Sequence, residues 1–212
     1  MKNLINSFLY YINRIKWLFN NKINKKYLLS FYQIISNGRI VVFDTETTGL
    51  DTSNDDIIQI AAVEIVNGVV GESIEYYFAT NKELSPTQKI HNISNEALDE
   101  KSIDKSEGLK SFIQFLSNDS LLAHNIKFDY AILNSNLLRE GMSSVNMKKN
   151  NLFCTLDLSR QLYRLPSYKL GDILKSLNIR GVNSHDALDD TKATVNLAIK
   201  LSESIQNQFN LK

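Results

Sequence analysis

Apolar residues along this chain change their spacing several times, and each change marks a new element. The continuous run Ile40-Val41-Val42-Phe43 predicts a strand over 39–45. Ile57, Ile58, Ile60, Ala61, Ala62 and Val63 predict a second over 57–66, Asn67-Gly68 supplies a hairpin turn, and a third strand is expected over 73–79. Beyond that the spacing lengthens to three and four. It predicts a helix over 107–117, a strand over 120–124, a helix over 127–140 carrying Ile132, Leu133, Leu137 and Leu138, and a short strand over 152–155. Helices follow over 156–163, 169–177 and 186–205, while Gly141 to Asn151 reads as a polar surface loop. The order is that of a mixed α/β domain.

The first residues follow a different pattern. Leu4, Ile5, Phe8, Tyr11, Ile12, Ile15, Leu18 and Phe19 recur at helical spacing, and a second helical stretch near 25–36 carries Tyr27, Leu28, Leu29, Phe31 and Tyr32. Residues 1–43 hold seven Lys or Arg and no Asp or Glu, so the net charge of +1 hides a basic arm before an acidic remainder. We expect a basic amphipathic helical extension over 1–37 and one larger domain over 38–212. With 212 residues and 43% apolar content, the chain has enough material for one sizeable core. No apolar run approaches the length of a membrane span, and no small-residue cleavage pattern follows the arm. Cys154 is the lone cysteine, which excludes an internal disulfide and suits a reducing cytoplasm.

Candidate chemistry begins at the end of the first strand, in Asp44-Thr45-Glu46-Thr47-Thr48-Gly49-Leu50. Side chains two apart on a strand point the same way, so Asp44 and Glu46 present two carboxylates on one face. Such a pair repels unless a cation sits between them, and hard oxygen ligands suit Mg²⁺ or Mn²⁺. Two further segments carry acids. Asp129 falls in the first helical turn after Leu121-Leu122-Ala123-His124-Asn125-Ile126-Lys127-Phe128, and Asp190 ends His185-Asp186-Ala187-Leu188-Asp189-Asp190. Five residues on a helix separate His185 and Asp190 by about 140°, so the histidine is expected to precede its helix. Asp186 is expected to favour that helix's N-terminus, and the cluster Asp51 to Asp56 reads as a solvated loop.

These three segments, DTETTGL, HNIKFD and HDALDD, stand in the order and approximate spacing of the DEDDh 3′–5′ exonucleases, which include the proofreading subunit of bacterial DNA polymerase III. The chain resembles that family from about Arg39 to Ile205. Ile57 to Val63 and His91-Asn92-Ile93-Ser94 are further family-like pieces, although the family more often has Glu at Gln59 and Gly at Asn92. Those departures bear on substrate fit, since neither position is a core metal ligand in the family pattern. The resemblance implies an RNase H-like exonuclease fold, a mixed β-sheet flanked by helices.

It also implies roles. Asp44, Glu46, Asp129 and Asp190 would hold two divalent ions, Mg²⁺ or Mn²⁺, and His185 would take the proton from the attacking water. Leu50 matches the family's wedge against the terminal base and Asn125 a contact to the terminal nucleotide; with Thr47 and His124 they are the substrate-binding candidates. His91 and His124 flank apolar sequence and read as hydrogen-bonded structural or substrate-shaping residues.

The expected activity is metal-dependent removal of nucleoside 5′-monophosphates from DNA 3′ ends, single strands favoured, in proofreading or repair. RNA 3′ ends are the alternative substrate. A non-catalytic nucleic-acid or polymerase-binding module, the alternative of another class, would lack an acid or the histidine, and all five are present. Only 22 residues follow Asp190, so no long C-terminal polymerase-binding tail is expected. The N-terminal arm is expected to contact nucleic acid, a partner or an anionic membrane surface.

Overall fold

The computed structural model describes residues 24–145 and 151–211. Five strands form one mixed sheet in the order β3-β2-β1-β4-β5: β1 (Arg39–Thr47), β2 (Ile57–Val66), β3 (Val69–Tyr77), β4 (Ser120–Ala123) and β5 (Leu152–Cys154). β1 pairs antiparallel with β2 and parallel with β4, and β5 extends the parallel side. The helices are α1 (Lys25–Asn37), α2 (Ser85–His91), α3 (Asn95–Lys101), α4 (Lys105–Leu116), α5 (Ile126–Arg139), α6 (Thr155–Leu162), α7 (Leu170–Ser176) and α8 (Ala187–Phe209).

Because β1 is central, both of its faces are covered, which is why Ile40 to Phe43 reads as a continuous apolar run instead of an alternating one. Ile40 and Val42 join α1, α7 and α8 in one core layer. Val41 and Phe43 join Phe112 of α4 and Ile132, Leu133 and Leu137 of α5 in the other. The second expected helical stretch of the arm belongs to the first layer: Leu28, Phe31 and Ile35 of α1 are buried beside Leu201 and Ile205 of α8. The Tyr27 hydroxyl also accepts the Cys154 N–H at 2.8 Å, tying α1 to the end of β5. The first expected helix of the arm lies outside the described residues. Among those described, no helix is long and apolar enough to cross a membrane.

Three expectations change. β3 starts at Val69 instead of 73, because Asn67 (φ 49°) and Gly68 (φ 80°) make a two-residue turn and Val69 pairs at once with Val66. Its first five residues are exposed, so no alternation marks them. α2 and α3 add to the expected elements; each has seven residues, and Ser94 caps α3 by accepting the Ala97 N–H. The segment Asp51 to Asp56 is not simply solvated. Asp55 accepts from the Thr48 hydroxyl and the Asp51 N–H, while Asp56 accepts from Thr80 and pairs with Arg139 at 3.1 Å. These bonds fold the loop back under the end of β1.

Candidate active site

Parallel pairing of β1 with β4 ends at Val42↔Leu122, but β1 runs on to Thr47. The overhang carries Asp44 and Glu46 past the end of β4, on the face shared with Ile40 and Val42. This is the carboxyl end of the parallel strands, where open α/β sheets leave a crevice. After β4 the chain turns through His124 and Asn125, whose left-handed backbone (φ 78°, ψ 48°) starts α5 without a side-chain cap. One turn into α5, buried Asp129 reaches the same place, and the Thr45 hydroxyl donates to its Oδ1 at 2.9 Å.

α8 brings the fourth acid. Asp186 is its N-cap and accepts the N–H groups of Leu188 and Asp189. Asp190, 5% exposed, turns inward and accepts the Ser184 N–H at 2.8 Å. That bond folds the preceding loop over the helix start, so His185 stands before α8 in a left-handed conformation (φ 56°), exposed to solvent. Ligand atoms of Glu46, His185 and Asp190 all lie within 4.8 Å of one another. Asp189 stays exposed on the outside of the helix.

The electrostatics are those of an acid cluster lacking counter-charge. Burial, then the charges of Asp190, Asp129 and Asp186, raises Glu46 to about 8. Asp44 is pushed well above the carboxylate range by burial and then by Asp129, Glu46 and Asp190. Burial raises Asp129 against the bond from Thr45, and raises Asp190 to about 6 against the Ser184 N–H and the nearby His185. Among the described residues no Lys or Arg forms an ion pair with any of the four. Four convergent carboxylates with so few donors fit hard divalent cations, which would restore their charged forms.

The remaining candidates separate by environment. Leu50 is 86% exposed beyond the strand end, free of any core role. Thr47 is buried and its hydroxyl donates to the Gly49 carbonyl, shaping the turn. Asn125 is exposed at the start of α5. Both nitrogens of His124 are engaged: Nε2 donates to the Tyr168 carbonyl at 3.0 Å, leaving Nδ1 to face the Thr155 hydroxyl at 2.8 Å. A nucleotide could meet only the ring face. His91 is likewise occupied, by the Ile93 N–H and the Thr87 hydroxyl, and burial lowers its pKa. Beside His185 opens a cleft of about 760 Å³, bordered by His124, Tyr168, Asn183 and the cationic Arg160 and Lys169. The segment Ser167 to Leu170 therefore both leads into α7 and lines this cleft.

One residue has a part that its sequence context does not disclose. Gln59, fully buried and directly opposite Glu46 in the β1–β2 register, binds the start of α8. The contact docks the sheet against the helix. Its signal is an amide within the otherwise apolar run Ile57 to Val63.

A family model described as RNase_T exonuclease matches residues 41–198. The DNA polymerase III PolC-type protein of Caldanaerobacter subterraneus subsp. tengcongensis is 33% identical over 174 residues, covering 80% of this chain and 12% of that protein. The PolC-type protein of Clostridium perfringens is 36% identical over 160 residues, covering 74% and 11%. The chain thus spans about an eighth of the length of the curated relatives it matches. Among solved structures, E. coli Exonuclease I in complex with a dT13 oligonucleotide superposes with a TM-score of 0.71 at 20% identity, over 81% of this chain and 42% of that one. Exonuclease X in complex with 5′ overhanging duplex DNA gives 0.60 at 22% identity, over 82% and 94%.

Proposed function

The chain belongs to the RNase_T exonuclease family, and from that premise we propose that it is a metal-dependent 3′–5′ exonuclease acting on single-stranded DNA and releasing nucleoside 5′-monophosphates. One observation carries the reading: Asp44, Glu46, Asp129 and Asp190 converge from three separate elements, with His185 at their solvent side. Structural carboxylates are normally paired with cations, whereas these repel one another in a buried place.

In the proposed mechanism the four acids would hold two divalent ions, Mg²⁺ or Mn²⁺. Bound there, the ions would supply a more acidic water and relief of charge on the leaving oxygen. His185, exposed on its loop and close to Glu46 and Asp190, receives the proton of the attacking water. The new P–O bond forms as the bond to the 3′-oxygen of the penultimate nucleotide breaks, and that oxygen takes a proton from solvent to become the new 3′ hydroxyl. Imidazole suits proton transfer near neutral pH. We assign Leu50 and Asn125 to contacts with the terminal nucleotide, Thr47 to shaping the turn beneath it, and the ring of His124 to the wall of its binding place. Arg160 and Lys169 give a polyanion a cationic border beside an otherwise acidic site.

The relatives named DNA polymerase III suggest proofreading or repair as the setting, and a cytoplasmic location accords with the single buried thiol of Cys154. For the remainder of the arm, residues 1–23, we keep contact with nucleic acid, a partner or an anionic membrane as the assignment. The test is hydrolysis of a single-stranded DNA oligomer beside an RNA of the same sequence, with Mg²⁺, Mn²⁺ or EDTA. The reading expects metal-dependent shortening, faster for DNA; RNA degraded faster than DNA would reassign the substrate, and no hydrolysis of either would overturn the activity.

A further inference from the structure

We propose that Gln59 and Asp186 form a clip, a neutral amide against a carboxylate, that positions His185 for proton transfer. The inference rests on the exonuclease reading for what His185 does, but the clip itself is defined by contacts independent of it. Gln59 is the third residue of β2 and has no exposed surface. Its amide orientation is fixed chemically. The Ala187 N–H can only donate, so Oε1 faces it at 3.0 Å, and Nε2 therefore faces the acceptors: Asp186 Oδ2 at 2.9 Å, Glu75 Oε1 at 2.7 Å and the Tyr77 hydroxyl oxygen at 2.8 Å.

Asp186 completes the arrangement with its other oxygen, which accepts the Leu188 and Asp189 N–H groups at 3.1 Å each. One carboxylate thus caps α8 and docks it to the sheet. The amide binds N-cap and first helical residue together, which fixes the helix start in rotation as well as distance. His185 immediately precedes this point. Its side-chain contact to Asn183 Nδ2 is weak at 3.3 Å, so the backbone on either side sets the ring's place. On one side that is the clip, and on the other the Ser184 N–H held by Asp190.

In this chain, where Asp186 and Glu75 both face position 59, the donor N–H groups of a neutral amide are required there. A carboxylate at position 59 would still face the Ala187 N–H as an acceptor, but its second oxygen would lie against the carboxylates of Asp186 and Glu75, and the single proton of the Tyr77 hydroxyl could serve just one of the three. The helix start would be driven off the sheet, moving His185 away from Glu46. Gln59 is therefore a positioning residue, acting on catalysis through Asp186.

A cycle of variants tests this: Gln59→Glu, Asp186→Asn, the pair combined, Gln59→Met, and Gln59→Met with Asp186→Asn. Each is measured for kcat and KM on a single-stranded DNA oligomer and for Tm in EDTA. Displacing a base by about 1 Å costs on the order of 10²-fold, so Gln59→Glu should lower kcat by roughly 10- to 100-fold while KM moves less than about threefold. In the combined variant the amide introduced at position 186 can donate to the carboxylate introduced at position 59 and still cap α8. Glu75, half-buried on edge strand β3, can turn to solvent. At least about a fivefold recovery of kcat is expected from that geometric gain. Gln59→Met should lower kcat without recovery by Asp186→Asn.

A fall in Tm with kcat of the folded protein unchanged would overturn the positioning role, as would absence of recovery in the combined variant. If the wild type hydrolyses no oligomer, the exonuclease reading fails instead. The clip is then judged by Tm alone: it stands if the combined variant melts closer to wild type than the single changes summed, and falls if they simply add.

Discussion

Replacing Glu46 with Gln should stabilise the metal-free protein at alkaline pH while removing its activity. Glu46 is 9% exposed at the end of β1, and burial together with Asp190, Asp129 and Asp186 lifts its carboxyl from 4.5 to about 8. Carrying its negative charge in the metal-free fold then costs roughly 5 kcal/mol relative to the unfolded chain. Gln keeps the shape and drops the charge. Below about pH 4.5 the carboxyl is protonated in both folded and unfolded states, and the two proteins should melt together. As pH rises toward about 8 the unfolded chain sheds this proton first, so wild type loses stability relative to the variant; above that the difference levels off. For a domain of this size 1 kcal/mol moves Tm by about 2–4 °C, so the variant should melt on the order of 10 °C higher at pH 8.5. The assay is calorimetry of both proteins in EDTA across pH 4.5–8.5. Saturating Mn²⁺ should raise the wild-type Tm far more than the variant's. Equal Tm values at pH 8.5 in EDTA, or a gap that widens toward acid, would show that Glu46 carries no such charge penalty in the fold.

His185→Ala should lower kcat by roughly 10²- to 10⁴-fold with little change in oligomer affinity or metal-induced Tm shift, because a general base acts mainly in the transition state; unchanged turnover would make His185 structural. Phe31→Ala, at a fully buried position of α1, should cost about 3–5 kcal/mol in denaturant unfolding, and a loss below about 1 kcal/mol would detach α1 from the core. Leu50→Ala, at a highly exposed position, should leave Tm unchanged yet raise KM for oligonucleotides severalfold, and equal KM values would remove it from substrate contact.

How far the sequence can be read depends on how local each determinant is. The strand over Ile40 to Phe43, the Asn67-Gly68 turn and α5 rest on neighbours in the chain, and each appears where periodicity and turn chemistry put it. The acids are legible because Asp44 and Glu46 share a strand face, and because Asp190 and His185 straddle a helix start. α2 and α3 escape notice because SPTQKIH and NEALDEK carry too few apolar residues to set a helical period, whereas the equally short α7 has Leu170, Ile173 and Leu174 at that spacing. Asp55 and Asp56 read as solvated loop because the Asp56 partners Thr80 and Arg139 lie far along the chain. The contacts of Gln59 are invisible for the same reason: Asp186 stands 127 residues away, and only the packing of α8 on β2 brings them together. The raised carboxyl pKa values likewise follow from burial and convergence, which no spacing encodes.

If these four carboxylates and His185 form the active site, they hydrolyse nucleic acid from its 3′ end. The most direct measurement follows single-stranded DNA labelled at its 5′ end, incubated with purified wild type or Asp44→Ala in Mn²⁺ and in EDTA, with released products identified by mass. The expected result is a ladder shortening one nucleotide at a time from the 3′ end, 5′-mononucleotides as product, and no reaction for Asp44→Ala or in EDTA. Internal cuts, loss of the 5′ label as a mononucleotide at the outset, or full activity in Asp44→Ala would contradict it.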